Sequence, residues 1–144
     1  MTIESLGAKG DGIALGEGGP LYLPFTLPGE VVETGAEGTP AGNDFTLLEA
    51  SPERRDPACP HFGDCGGCDL QHASDEVYRD FKRGLVIHAL QREGIEAEVG
   101  PLVTCRPRSR RRVTLTAAKA GNRVVLGYNA ARTNRVVGIE TCPI

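Results

Sequence analysis

The first fifty residues contain short runs in which apolar and polar positions alternate, separated by turns rich in glycine and proline. Leu21–Phe25 shows the alternation of a half-buried strand most clearly. The pattern predicts strands at 2–6, 13–15, 21–25, 31–33 and 45–48. Turns are predicted between them, at 7–12, 16–20 and 28–30. Five short strands in one small segment favour a closed barrel, and an open meander of the same strands is the alternative.

The hydrophobic period changes from two to four between residues 74 and 94. Apolar side chains recur at Val77, Phe81, Leu85 and Ala89. This spacing predicts one amphipathic helix over residues 75–93. Ser74 is the predicted N-cap, with acidic residues at 75 and 76 near the positive end of the helix dipole, and Gly94 is the predicted stop.

Alternation with a period of two returns after Pro101. Strands are predicted at 112–117, 123–128 and 135–139, with a hairpin turn at 120–122 and a second turn at 130–132. The expected product is an antiparallel meander with one apolar face and one face of arginine and threonine, formed by Arg112, Thr114 and Thr116. The predicted fold class is therefore mostly β, with an OB-type small barrel, a loop plus one helix, and a partial antiparallel sheet.

Length and composition restrict the possibilities further. A chain of 144 residues suffices for one or two small domains, and 5% aromatic residues without tryptophan argue against a large aromatic core. The sequence has no run near the roughly 20 apolar residues that span a bilayer, and its first residues do not match a secretory signal. A cytoplasmic location is expected. In that compartment, five cysteines are expected to be thiols or metal ligands rather than disulfides.

The formal net charge of −3 averages over segments of opposite sign. Residues 1–50 contain eight acidic residues and one basic residue, Lys9, and have a net charge of −7. Residues 51–104 have a net charge of −4, whereas residues 105–144 contain nine basic residues and one acidic residue, which gives +8. A short segment this basic attracts polyanions. Its arginine cluster favours a phosphate-binding face over an ordinary solvated strand face.

Three cysteines lie within ten residues of one another in a glycine-containing loop, and a fourth lies far along the chain. Cys59, Cys65 and Cys68 form a C-x5-C-x2-C pattern, and 73 residues separate Cys68 from Cys142. A compact triad with a remote fourth cysteine is typical of iron–sulfur ligation. Structural zinc, which more often uses two C-x2-C pairs, remains open on spacing alone. Cys105 is the weaker candidate for the fourth ligand.

The loop from Cys59 to His72, C-P-H-F-G-D-C-G-G-C-D-L-Q-H, resembles the cluster loop of RNA uracil-5-methyltransferases that have an N-terminal TRAM domain and an iron–sulfur cluster. The resemblance extends through Tyr78 and Lys82, then through 110–112, 127–128 and 142–143. The first fifty residues resemble TRAM, including the segments 10–12 and 27–30. The similarity thus covers nearly the whole chain.

The resemblance implies several expectations. It selects a [4Fe–4S] cluster over zinc and Cys142 over Cys105 as the fourth ligand. It implies a TRAM/OB-like domain at 1–50, the iron–sulfur loop and helix at 51–93, and part of an RNA-binding central domain at 94–144. Ribosomal RNA is favoured over transfer RNA as the substrate. Because the TRAM-like segment is acidic, the phosphate contacts are expected at Arg110, Arg111, Arg112, Arg132 and Arg135.

Such enzymes also have a domain that binds S-adenosylmethionine, with a cysteine nucleophile and a general base, and no motif of this chain matches it. The chain is therefore expected to be the N-terminal part of such an enzyme, without catalytic residues, and inactive by itself. The alternative is a free-standing, zinc-containing nucleic-acid-binding module without catalytic activity. A small ferredoxin-like electron carrier is disfavoured because it leaves the +8 segment unexplained.

Overall fold

The computed structural model describes residues 1–35 and 45–143. Within these residues the fold is mostly β, with three small antiparallel sheets and one helix, which confirms the predicted fold class. The chain forms two compact units. The first unit comprises Met1–Arg55 and His72–Leu102, and the second unit comprises Asp56–Gln71 and Val103–Ile144. The predicted domain boundaries at 50 and 93 stay a prediction.

The first unit contains two sheets that share one small core. The strands β1 (Ser5–Leu6), β2 (Gly12–Gly16) and β3 (Gly19–Leu23) form an antiparallel meander, and β4 (Val31–Thr34) pairs with β5 (Phe45–Glu49). All five predicted strands are present, although β1 is shorter than predicted and β3 begins and ends two residues earlier. The core consists of Ile3, Ala14, Leu23 and Val32. OB-type closure of these sheets stays a prediction.

A buried ion pair stabilises the loop between β3 and β4. The side chain of Glu30 is fully buried, and its carboxylate accepts hydrogen bonds from Arg54 Nε at 2.5 Å and Nη2 at 2.8 Å. The backbone amides of Leu27, at 2.8 Å, and Ser51, at 3.3 Å, donate to the same carboxylate. Burial raises the pKa of Glu30, but these hydrogen bonds and the Arg54 charge outweigh it, so the pKa is lowered overall. Glu30 therefore stays ionised inside the protein.

His72 lies at the same buried junction, with its ring edge-on to Phe25 at 6.3 Å between ring centroids. Only 1% of its surface is exposed. Burial and, to a smaller extent, the Arg54 charge lower the pKa of His72 from 6.5 to about 4. The imidazole is consequently neutral at physiological pH. His72 therefore belongs to the packing of the first unit and not to the lining of the cysteine pocket.

The helix α1 spans Asp75–Arg92, one residue shorter than predicted. The Ser74 side chain accepts a hydrogen bond from the Val77 amide at 3.2 Å, which confirms the predicted N-cap. At the other end Gly94 adopts φ +68°, and its amide and that of Ile95 donate to carbonyls of the last turn. This is a Schellman ending. No residue of α1 is buried, so its apolar stripe is only partly covered.

The sheet of the second unit contains β6 (Thr116–Ala120), β7 (Arg123–Asn129) and β8 (Val136–Gly138), in that order. The predicted hairpin turn is confirmed, because Ala120 pairs with Arg123. The predicted strand at 112–117 is wrong for its first four residues. Pairing begins at Thr116 opposite Gly127, so Arg112 and Thr114 precede the sheet and the expected arginine–threonine face does not form.

The apolar side chains of β7 remain largely open to solvent. Val124 is 74% exposed and Leu126 is 53% exposed. Close contact with β8 depends instead on Gly127, where a Cβ atom would overlap the carbonyl oxygen of Val137. Among the described residues, no helix has the length and apolar character needed to cross a membrane.

Replacement of Glu30 by glutamine should lower the free energy of unfolding by about 3 kcal/mol, because it leaves the Arg54 charge without its buried partner. The matched control is Glu33→Gln, an exposed position on β4 that should leave stability nearly unchanged. Urea denaturation monitored by circular dichroism measures both changes. Equal stability of the two variants would contradict the role assigned to the ion pair.

The low pKa of His72 predicts a loss of stability in mild acid. Below pH 6.5 the unfolded chain binds a proton at this residue, whereas the folded chain resists protonation until about pH 4. Stability therefore falls as the pH drops through this window, by about 2 kcal/mol between pH 7 and pH 5. His72→Gln should remove this part of the dependence, and the exposed His88→Gln should retain it. The comparison uses urea denaturation at both pH values, and parallel pH profiles for the two variants would show that His72 is not the titrating group.

Candidate functional site

Four of the five cysteines line one pocket of the second unit. They are Cys59, Cys65, Cys68 and Cys142, and the cavity between them is small, with a volume of about 10 Å³. The other lining residues include Phe62, Tyr128 and Ile139, and the lining is mainly apolar. All four cysteines are free thiols and partly buried. The structure thus brings together the cysteine triad and the distant Cys142 that the family resemblance selected.

The cysteine loop, defined here as residues 59–71, has no helix or strand and is shaped by tight turns. The amide of Cys65 donates to the carbonyl of His61 at 2.8 Å, and Gly63 adopts φ +89°, which glycine reaches without steric cost. The side-chain oxygen of Gln71 accepts a hydrogen bond from the amide of Cys59 at 3.1 Å. The two ends of the loop are therefore held close together.

The pKa of Cys68 reflects the closeness of the four pocket cysteines. Burial raises the pKa of the Cys68 thiol, and a hydrogen bond with Gln71 partly opposes the change. The neighbouring thiols of Cys142, Cys59 and Cys65 raise the pKa further, because a second negative charge nearby disfavours ionisation. A cationic centre would reverse this balance, since metal ions stabilise thiolates.

Two further observations test whether the pocket suits such a centre. His61 Nε2 is buried in the pocket lining without a hydrogen-bond partner among the described residues. A Cβ atom on Gly67 would stand 3.4 Å from Cys65 Sγ, in ordinary van der Waals contact, so a side chain here would reach the sulfur without a clash. Within the described part of the chain, no three His, Cys, Asp or Glu side chains are arranged to hold a single metal ion. Four thiols with an apolar lining are the type of ligand set that iron–sulfur clusters use, and the chemistry of these side chains suits such a cluster.

The fifth cysteine lies elsewhere. Cys105 is exposed and is not among the residues that line the pocket. It belongs to the irregular segment that precedes β6. This placement agrees with its lower rank as a ligand candidate.

The cysteine loop contacts the β7–β8 turn, defined here as residues 129–134. The amide of Gly66 donates to the carbonyl of Asn129 at 3.0 Å, and the backbones of Cys65 and Ala130 form an isolated antiparallel β-bridge. Side chains add a second link, because Asp64 forms a bidentate ion pair with Arg135. The hydrogen bond from Arg135 lowers the pKa of Asp64, and the same contact raises the pKa of Arg135.

The predicted phosphate-binding arginines occupy two separate segments of the second unit. Arg110, Arg111 and Arg112 are exposed and lie before β6, outside regular structure. Arg132 lies in the β7–β8 turn with φ +59°, a left-handed conformation that is uncommon for a residue with a side chain. Arg135 also lies next to this turn, where Asp64 already neutralises part of its charge.

Sequence reasoning missed several residues of this site. Gln71 was part of the quoted loop, but nothing in its spacing indicated that it would close the loop. Asp64 offered only an exposed charge, and its partner is 71 positions away. Tyr128 was indicated only by the family resemblance at 127–128 and by strand periodicity, and Asn129 follows the predicted strand and gave no signal.

Comparisons with known proteins give the chain a family context. No protein-family model matches it. An uncharacterised RNA methyltransferase of Brucella suis is 51% identical over 144 residues, and one of Rhizobium meliloti is 49% identical over 150 residues. Each match covers the whole chain but only 34% and 36% of the respective relative. The 23S rRNA (uracil(1939)-C(5))-methyltransferase RlmD of Cronobacter sakazakii is 34% identical over 148 residues, which cover 34% of its length.

A solved structure supports the same relationship. The tRNA (uracil-54, C5)-methyltransferase of Pyrococcus abyssi, crystallised with S-adenosyl-L-homocysteine, is similar with a TM-score of 0.61 and 27% identity. The match covers 99% of this chain and 31% of that protein. The chain spans about a third of the length of the relatives it matches. Over its whole length, this chain is homologous to a portion of RNA methyltransferases.

Proposed function

We propose that this chain is the RNA-recognition and iron–sulfur portion of an S-adenosylmethionine-dependent RNA uracil-5-methyltransferase. The observation that supports this most directly is the shared pocket of Cys59, Cys65, Cys68 and Cys142. Two relatives whose names specify uracil C5 support the reaction class. In this proposal, the methyl donor and the catalytic residues belong to the part of the relatives that this chain does not cover.

The proposed cofactor is a [4Fe–4S] cluster bound by the four pocket cysteines. Such a centre supplies stable iron–thiolate bonds, and methyl transfer to uracil does not require its redox chemistry. The role of the chain is therefore to provide four thiolates and to shield them from water. Phe62, Tyr128 and Ile139 contribute the apolar part of that shield. The cluster would thereby hold the cysteine loop and the segment after β8, which contains Cys142, in fixed positions.

The proposed partner is RNA, and the charge distribution indicates which unit binds it. The second unit contains nine basic and four acidic residues, whereas the first unit contains seven basic and fifteen acidic residues. Their net charges are thus +5 and −8. Phosphates are attracted to the second unit, where Arg110, Arg111 and Arg112 are exposed. We favour ribosomal RNA over transfer RNA, because the relative that acts on 23S rRNA is more similar in sequence, at 34% against 27%.

One observation also favours a second candidate function. Four thiols are a common donor set for structural zinc, which is the ligand type of a zinc-containing nucleic-acid-binding module without catalytic activity. The sulfurs would have to move closer together, because no three of the described donor side chains are arranged around a single ion. The two candidates differ in the metal and in the presence of acid-labile sulfide.

Metal analysis of protein purified without oxygen tests the cofactor. We expect a brown protein with about four iron atoms and sulfide per chain. Replacement of Cys142 by serine should lower the iron content strongly, because one of four ligands is lost. Cys105→Ser is the matched control and should retain the iron of the parent chain, since this exposed residue lies outside the pocket.

Two results would count against the cluster. A colourless protein with stoichiometric zinc would favour the zinc-containing module instead. Unchanged iron content in the Cys142→Ser variant would remove this residue from the ligand set and weaken the family assignment with it.

Salt dependence tests the proposed phosphate contacts. Affinity for single-stranded RNA should fall steeply with salt, and substitution of Arg110, Arg111 and Arg112 by alanine should reduce the slope of log affinity against log salt by about 2. A charge-matched control replaces Arg79, Lys82 and Arg92 on α1 by alanine and should leave the slope unchanged. Fluorescence anisotropy with a labelled oligonucleotide gives both slopes. Identical slopes for the two triple variants would place the phosphate contacts elsewhere.

A further inference from the structure

The β7–β8 turn encloses a second concavity, separate from the cysteine pocket. Its volume is about 380 Å³, and it opens broadly to solvent. It is lined by Gly66 of the cysteine loop and by residues 129–134. Pockets for small ligands occupy about 300–1,000 Å³, so the space suits one nucleotide. Neither the cofactor nor the arginine segment before β6 accounts for it.

The lining is polar and suited to hydrogen bonding. Asn129 and Asn134 line opposite ends of the turn and are exposed, and within the described residues neither side-chain amide makes a hydrogen bond. An asparagine amide offers a donor and an acceptor side by side, which matches the edges of nucleic-acid bases. Arg132 contributes a guanidinium to the same lining.

The turn is held in shape before any ligand binds. The amide of Ala130 donates to the carbonyl of Arg135 at 2.8 Å, and the Thr133 amide donates back to Ala130 at 3.1 Å. The left-handed conformation of Arg132 stores strain that the surrounding contacts must offset, and such positions cluster at ligand-binding sites. A preformed polar pocket loses less entropy on binding than a flexible loop.

We propose that the β7–β8 turn binds one unpaired nucleotide of RNA, with Asn129 and Asn134 as the residues that contact it. This inference rests on the proposed RNA-binding function and adds a site to it. An unpaired nucleotide is the fitting ligand because the pocket is concave and offers neutral amides, whereas phosphates alone would need clustered cations. The net charge of +5 on the second unit brings the RNA strand to it.

The test measures binding of the 144-residue chain to a labelled 12-nucleotide single-stranded RNA and to the duplex of the same sequence. Asn129→Ala and Asn134→Ala should each weaken single-strand binding roughly fivefold, the effect of one neutral hydrogen bond. Duplex binding should be unchanged, because paired bases cannot enter the pocket. The salt slope should also be unchanged, because no charge is removed. Asn122→Ala, in the β6–β7 hairpin of the same sheet, is the matched control and should bind as the parent does.

The outcomes separate this inference from the proposed function. If both asparagine variants bind single-stranded RNA as the parent does, or if they lose duplex binding equally, the pocket is not a nucleotide site although the chain binds RNA. A changed salt slope, or an equal loss in Asn122→Ala, overturns it as well, since either result indicates disturbance of the sheet. If the parent chain binds neither RNA, the proposed function itself fails.

Discussion

The contact between the cysteine loop and the β7–β8 turn is the constraint on which both sites of the second unit depend. The loop has no regular secondary structure, and Leu70 is its one buried hydrophobic residue, so hydrophobic packing alone does not fix its position. Gly66 fixes it instead, because a Cβ atom there would lie 2.9 Å from the backbone of both Asn129 and Ala131. Only glycine permits the Gly66–Asn129 hydrogen bond at this distance. The same contact forms one wall of the concavity and aligns Cys65 with the other thiols.

The two units differ in net charge and in the reactive side chains that they contain. The first unit is strongly acidic and is stabilised by the buried Glu30–Arg54 pair, with neutral His72 beside it. Glu30 and Arg54 neutralise each other, so breaking this ion pair would destabilise the first unit. The second unit contains the four pocket cysteines and the excess of arginine. A polyanion is therefore repelled by one unit and attracted by the other.

Elements whose signals lie in neighbouring residues could be predicted from the sequence, whereas those that depend on distant residues could not. Helix α1 was predicted almost to the residue because its period, the Ser74 cap and the Gly94 ending all act within one turn of the helix. The strand at 112–117 was predicted to begin too early because alternation does not reveal where backbone pairing begins. Pairing begins with Thr116 opposite Gly127, although β7 continues for two more residues, so the alternation at 112–115 has no counterpart in the sheet. Spacing left both zinc and an iron–sulfur cluster open, and only the family resemblance selected Cys142, since no local pattern specifies a ligand that is separated from Cys68 by 73 residues. Asn129 and Asn134 were not predicted as site residues, because they line one concavity only through the folding of the turn beside Gly66.

Under the proposed function, a metal centre acts on RNA binding through geometry rather than charge. Its ligands would connect the cysteine loop with Cys142, and closing 73 intervening residues restricts the unfolded chain, so metal binding and folding are coupled. The loop so fixed presents Gly66 and Asp64 to the β7–β8 turn. Loss of the centre would remove the link to Cys142 while leaving every arginine in place, so the exposed arginines would still attract RNA with the same salt dependence. The hydrogen bonds within the turn and the Gly66–Asn129 contact involve no sulfur, so the centre would reinforce the shape of the turn rather than create it. Affinity from phosphates and fit at the turn are thus separable, because the four sulfurs would reinforce only the second.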